Sequence, residues 1–177
     1  MRFLFVFFFI LPFCTKAQNE IHSSEVKFEV GNLWVNTVEG SFDGVKGEVK
    51  FLPRRPEESY FEVYLEAATI ETGNDKRDEH LLTEDFFHVE EHPRISIDSE
   101  KIYRLDENEY RLEGTLTIKG ISEPFETIFL LSDETATSFT LASEFLVDRE
   151  KFKLGDSYGG FVIADEIEVR VVMSLTK

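Results

Sequence analysis

Apolar and polar residues alternate along most of the chain. Val26, Phe28 and Val30 enclose Lys27 and Glu29; Val49 and Phe51 flank Lys50; Phe61, Val63 and Leu65 alternate with Glu62 and Tyr64. Ile95 and Ile97 flank Ser96, and Tyr110, Leu112, Gly114, Leu116 and Ile118 form a longer row. Phe139, Leu141, Ser143, Phe145 and Val147 form another, and Ile167, Val169, Val171, Met173 and Leu175 the last. A period of two predicts strands with one buried and one wet face.

Turn signals separate these rows. Asp43-Gly44 predicts a hairpin between two strands. Pro53 and Pro56 break the chain, Lys119-Gly120 precedes a polar turn before Phe125, and glycines loosen the segment after Leu154. One stretch lacks alternation. Residues 74–88 predict a short helical insert, with Asp75 as N-cap and Thr83 capping a second turn through Phe86 and Phe87. No repeat or linker divides the chain. About eight strands with short connections predict an all-β sandwich or closed barrel, and a barrel of eight strands is about the size that holds one small ligand.

The first residues form a different pattern. Arg2, the apolar run Phe3–Phe13 and the small Ala17 predict a signal peptide cleaved between Ala17 and Gln18. The run is shorter than the roughly 20 residues of a membrane span. Lipidation at Cys14 is the rival, although bulky Phe13 precedes that cysteine. The expected division is therefore a leader, 1–17, and one domain, 18–177. The mature chain has no cysteine, which excludes disulfides and thiol chemistry. Cleavage removes Arg2 and Lys16 and no acid, leaving 17 basic against 35 acidic side chains. That balance argues against nucleic acid and anionic membrane surfaces as partners. It equally describes an acidic, solvated surface.

Chemistry is harder to find. His88-Val89-Glu90-Glu91-His92 matches the H-x-x-E-H pattern of a class of zinc peptidases. That chemistry needs both histidines on one face of a helix. Pro93 follows directly and pushes His92 away from helical angles. A looser metal site from His80, His88 and His92 is the remaining metal-enzyme reading; solvated loop histidines are the plain one. No serine elbow or phosphate-cradling glycine loop is present. Carboxylates are so common that no glycosidase pair stands out. No catalytic residue, cofactor or metal is assigned.

The stretch Ile70 to Pro93, with its Thr72-Gly73, Arg77-Asp78-Glu79-His80-Leu81 and Phe86-Phe87, resembles the YceI-like family of bacterial lipid-binding proteins. Gly40 and Phe42, the row Gly114, Leu116, Thr117, Gly120 and Pro124, and the closing Arg149, Phe152, Gly155, Asp165 and Glu166 match further family elements in order. The resemblance implies a lipocalin-like, eight-stranded antiparallel β-barrel holding a long apolar lipid, such as a polyisoprenoid, fatty acid or fatty amide. It implies no catalytic residues. Family members are often exported to the periplasm, in agreement with the leader, so a periplasmic or secreted protein without stable membrane insertion is expected. A homodimer is left open.

On that reading Val26, Phe28, Val30, Phe42 and Phe51 face the lumen, as do Leu116, Phe139, Phe145 and Val171. Phe86 and Phe87 plug or gate one end. Arg77, Asp78 and His80 either meet a polar headgroup or form a network that fixes the insert. Periodicity does not separate lumen from solid core, so a packed interaction or stress-response protein without ligand stays open.

Overall fold

The alternating rows become strands of a single antiparallel sheet. A computed structural model describes residues 18–32, 36–158, 160 and 162–177. The expected leader, with Cys14 and the cleavage point after Ala17, lies outside the described residues. Among those residues nine strands follow in chain order: β1 (Ile21–Asn32), β2 (Asn36–Phe42), β3 (Lys46–Lys50), β4 (Tyr60–Glu66), β5 (Arg94–Arg104), β6 (Glu109–Ile118), β7 (Ile121–Ser132), β8 (Ser138–Asp148) and β9 (Ile163–Thr176). Their order across the sheet is β2-β1-β9-β8-β7-β6-β5-β4-β3. The fold is all-β, as expected from the alternation, with nine strands where eight were expected.

The segment around Asp43-Gly44 departs from the expectation. The expected hairpin does not form, because β2 pairs with β1 and β3 pairs with β4. These consecutive strands occupy opposite edges of the sheet, and residues 43–45 cross from one to the other. Two hydroxyls hold the crossing. Thr69 Oγ1 accepts from the Asp43 amide at 3.0 Å, and Ser24 Oγ accepts from the Val45 amide at 2.7 Å. Isolated bridges complete the curl: Asn19 joins Val49, and Ser41 joins Glu71. The side-chain amide of Asn19 also accepts from the Phe51 amide at 2.7 Å, so these contacts draw the two edges together.

Lys119-Gly120 is itself a turn, not the approach to one. Ile118 pairs with Ile121, and both turn residues have positive φ, 51° and 70°. That is the two-residue geometry whose twist matches the flanking strands, and glycine adopts it without steric cost.

The insert forms α1 (Asp75–Leu81), one residue out from the expected cap. Asn74, not Asp75, caps it: its side-chain oxygen accepts from the Arg77 amide at 3.1 Å. Thr83 does not begin a second helix. Its hydroxyl donates back to the His80 carbonyl, and residues 84–87 form turns.

The interior divides into two apolar clusters. One, around Val49, Phe51, Phe61, Tyr110, Phe129 and Phe139, fills the end where β1 begins and β9 finishes. The second gathers Ile70, Phe86, Phe87, Leu116, Phe152 and Leu154 at the opposite end, beneath the insert.

Candidate ligand-binding site

The packed end is an aromatic plug. Phe51 is 2% exposed, and its ring meets Tyr110, Phe129, Phe139 and Phe61 at centroid distances of 5.0, 5.4, 5.7 and 6.2 Å. Three of these contacts are edge-to-face, which suits the aromatic quadrupole. Tyr110 satisfies its hydroxyl on the Pro53 carbonyl at 3.1 Å. Burial pushes that phenol's pKa above its ordinary value.

Above the plug the side chains no longer meet, and a cavity of about 380 Å³ remains. Small-molecule sites run from roughly 300 to 1,000 Å³. Register explains the lining. Val26 stands between Phe42 of β2 and Val171 of β9, and Phe28 lies opposite Gly40 and Val169. Gly40 is small for a reason: a Cβ there would lie 2.3 Å from Phe28 Cζ. The ring of Phe28 covers the space and meets Phe42 at 5.5 Å, and Phe42 in turn meets Phe87 at 5.9 Å.

Val26, Phe28, Val30, Phe42, Phe86, Phe87, Leu116, Phe145 and Val171 all line this cavity, and so do Arg77 and His80. Phe51 and Phe139 do not. They were expected in the lumen, but the curl of the sheet carries them into the plug. Asp78 is also absent from the wall. Sequence reasoning missed several lining residues, among them Phe125 and Thr127 of β7 and Ile163 and Ile167 of β9. Strand β7 escaped because Ile128 and Leu130 put apolar residues on its outer face and blur the alternation, although Phe125, Thr127, Phe129 and Leu131 keep the period.

The polar side chains of the insert are bonded to their neighbours. Asp78 accepts from the Thr72 amide at 3.1 Å and from the Thr72 hydroxyl. Arg77 donates to Thr72 Oγ1 at 2.6 Å and to the Thr72 carbonyl at 2.8 Å. Together they clamp α1 to the turn after β4. His80 Nε2 lies 3.1 Å from Asp85 Oδ2, with its ring against Phe86.

A second clamp holds the far side of this end. Arg149 is 1% exposed in the short 3-10 turn Arg149–Phe152. It donates to the carbonyls of Ala164, Leu154, Gly155, Tyr158 and Ile163, and pairs with Asp165 at 2.8 Å. A buried guanidinium with each donor engaged by carbonyls and one carboxylate is stable where a lone charge is not. It fixes the segment carrying Leu154 and Tyr158, both of which line the cavity.

The zinc-peptidase pattern fails geometrically. Residues 88–92 form turns outside any helix, and His88 has φ of +49°. His80 does not join His88 and His92. The ligand atoms that do gather within 4.8 Å are those of His88, Glu91 and His92, on the surface turn leading to β5. His92 instead packs on the backbone of Gly120.

These features define a class: a curled antiparallel β protein with a plugged end, an apolar cavity and a helical insert across the other end. The chain belongs to the family of the YceI-like domain, whose model matches residues 19–175. A UPF0312 protein of Azotobacter vinelandii is 26% identical over 99 residues, 56% of this chain and 52% of that one. One from Pectobacterium atrosepticum is 26% identical over 109 residues, 62% and 56% of the two chains. The chain thus spans about half the length of these curated relatives. The same fold occurs in BcnA of Burkholderia cenocepacia, with a TM-score of 0.79 and 22% identity, covering 85% of this chain and 95% of that one. It also occurs in the YCEI protein of Campylobacter jejuni (TM-score 0.74, 22% identity, 81% and 86% covered). A polyisoprenoid binding domain from Saccharophagus degradans aligns with a TM-score of 0.71 and 13% identity, covering 90% and 97%. Among the described residues no helix is long and apolar enough to cross a membrane.

Proposed function

We propose that this protein is an exported, non-enzymatic carrier of a long apolar ligand, a polyisoprenoid or fatty chain, held in the cavity above the aromatic plug. One observation carries the reading: an otherwise well-packed core leaves about 380 Å³ unfilled behind apolar walls. Native interiors pack densely, so an open space of this size in a core is a site for something. Burial of ligand hydrocarbon drives binding, at about 0.8 kcal/mol per methylene. Such a ligand needs few hydrogen bonds, which suits walls made of Val26, Phe28, Leu116 and Val171. The binding reported in the name of the Saccharophagus degradans domain favours the isoprenoid class. Export rests on the leader pattern of residues 1–17.

Solvent extraction and native mass spectrometry of the purified protein test this directly. Expected is a mass shift from a co-purified lipid, displaced by a fluorescent fatty acid. No extractable lipid together with no probe binding would sink the proposal.

A further inference from the structure

We infer that the ligand reaches the cavity sideways, through a window between β7 and β8 gated by Phe125 and Phe145. This rests on the carrier reading.

Neighbouring strands elsewhere in the sheet pair along most or all of the shorter strand of each pair. The pair β7–β8 joins only Phe129–Ser132 to Thr140–Ser143. Beyond that, no ladder connects residues 121–128 of β7 to residues 144–148 of β8, although both segments remain strands, paired on their other sides to β6 and β9. Their facing backbone groups lack a strand partner and need solvent. The sequence supports a lasting edge here. Pro124 sits in this half of β7, and proline within sheets is confined to edges and bulges because it cannot donate to a ladder.

Side chains mark the limits of the opening. At the inner limit Ser143 Oγ donates to the Ile128 carbonyl at 2.8 Å and lies 2.7 Å from Thr127 Oγ1. These hydroxyl contacts stand where the ladder stops. At the outer limit the Lys119 ammonium donates to the Lys153 carbonyl at 2.9 Å. Between them the rings of Phe125 and Phe145 meet edge-on at 4.9 Å. Both rings line the cavity, so the wall at this point is two side chains with no backbone ladder behind them.

The outside of the same region carries exposed apolar side chains among charged ones such as Glu126 and Glu144. Leu146 on β8 is 59% exposed, and Leu130 and Ile128 on β7 are 51% and 41% exposed. On a chain of net charge −16 these leucines and isoleucine stand out against the acidic surface. They offer a hydrocarbon chain apolar contacts on the outer face beside the window. Ring flips and rotamer changes of two phenylalanines are fast and break no backbone hydrogen bond. The end beneath the insert offers a harder route: Phe86, Phe87 and Leu154 are buried there, and the Gly155 amide is bonded to the Asp85 carbonyl at 2.8 Å.

A gate residue controls the rate of arrival, whereas a simple wall residue controls mainly the rate of escape. Stopped-flow fluorescence of delipidated protein with cis-parinaric acid separates them. In Phe125→Ala and Phe145→Ala the association rate is expected to rise about tenfold, within the range that association rates span among variants of one site. Phe145→Leu, a gentler change, should show a smaller rise and guards against a variant that fails to fold. Leu82→Ala, in the insert and away from the cavity wall, loosens the other end and should leave association at the wild-type rate. Unchanged association in the phenylalanine variants, or a rise in Leu82→Ala alone, overturns the window and leaves the carrier reading standing. Wild-type protein that takes up no probe defeats the carrier reading and the window together.

Discussion

Replacing Phe51 by alanine distinguishes plug from lumen. The ring is 2% exposed and touches four other aromatic rings. Truncating a buried phenylalanine costs about 3–5 kcal/mol through lost transfer energy and the cavity left behind. The upper half of that range is expected, because each edge-to-face partner adds about 0.5–1.5 kcal/mol. For a domain of this size the melting temperature should fall by about 8–20 °C. Thermal and urea melts followed by near-UV circular dichroism measure it. The companion variant is Phe28→Ala. Phe28 is half-buried over Gly40 and faces the cavity, so the expected cost is about 1–2 kcal/mol, with a shift toward longer or bulkier ligands. A series of fatty acids displacing a fluorescent probe reads that preference. A Phe51→Ala protein that melts as wild type does, or changes chain-length preference more than Phe28→Ala, would refute the separation of plug from cavity.

Other variants test the remaining clamps. Arg149→Met strands several buried carbonyls and should cost about 3 kcal/mol, with weakened probe binding as the Leu154–Tyr158 segment loosens; denaturant melts and probe titration check both. Gly40→Ala places a Cβ against Phe28 and the Glu71 carbonyl, so it should destabilise by about 1–3 kcal/mol and reduce the volume available to ligand. Glu134 accepts a hydrogen bond from the Lys177 ammonium, which holds its carboxyl below the usual glutamate range. A depressed pKa means that the contact contributes at pH above the ordinary glutamate value and is lost as pH falls through the lowered one. In carboxyl NMR titrations Lys177→Gln should return Glu134 to its ordinary value, and an unchanged titration would show the contact absent in solution.

Much of the architecture was legible before the fold was known. The alternating rows at 26–30, 110–118 and 167–175 all lie in strands, because a half-buried strand imposes its period on any sequence that forms it. The insert was legible as a break in that period, and the resemblance of Arg77-Asp78-Glu79-His80-Leu81 and Phe86-Phe87 pointed to the family that residues 19–175 match. Asp43-Gly44 misled because a turn signal reports local backbone preference, while the partner of each flanking strand is chosen across the sheet. The zinc pattern could be set aside from the sequence for a related reason: spacing in the chain becomes spacing on a helix only if the helix forms, and Pro93 opposes one at His92.

Local periodicity and composition set most of the strands, the face of each that turns inward, and the apolar character of the interior; β7, with apolar residues on both faces, is the exception. Only the tertiary structure decided which inward phenylalanines meet one another and which face empty space. Phe28 and Phe51 each follow a Val-Lys pair, in the same alternating phase. One borders the cavity and the other lies in the plug, because the curl of the sheet brings four rings onto Phe51 and leaves space beside Phe28. The gap between β7 and β8 is of the same kind: how far two strands remain paired depends on the twist and curl of the whole sheet.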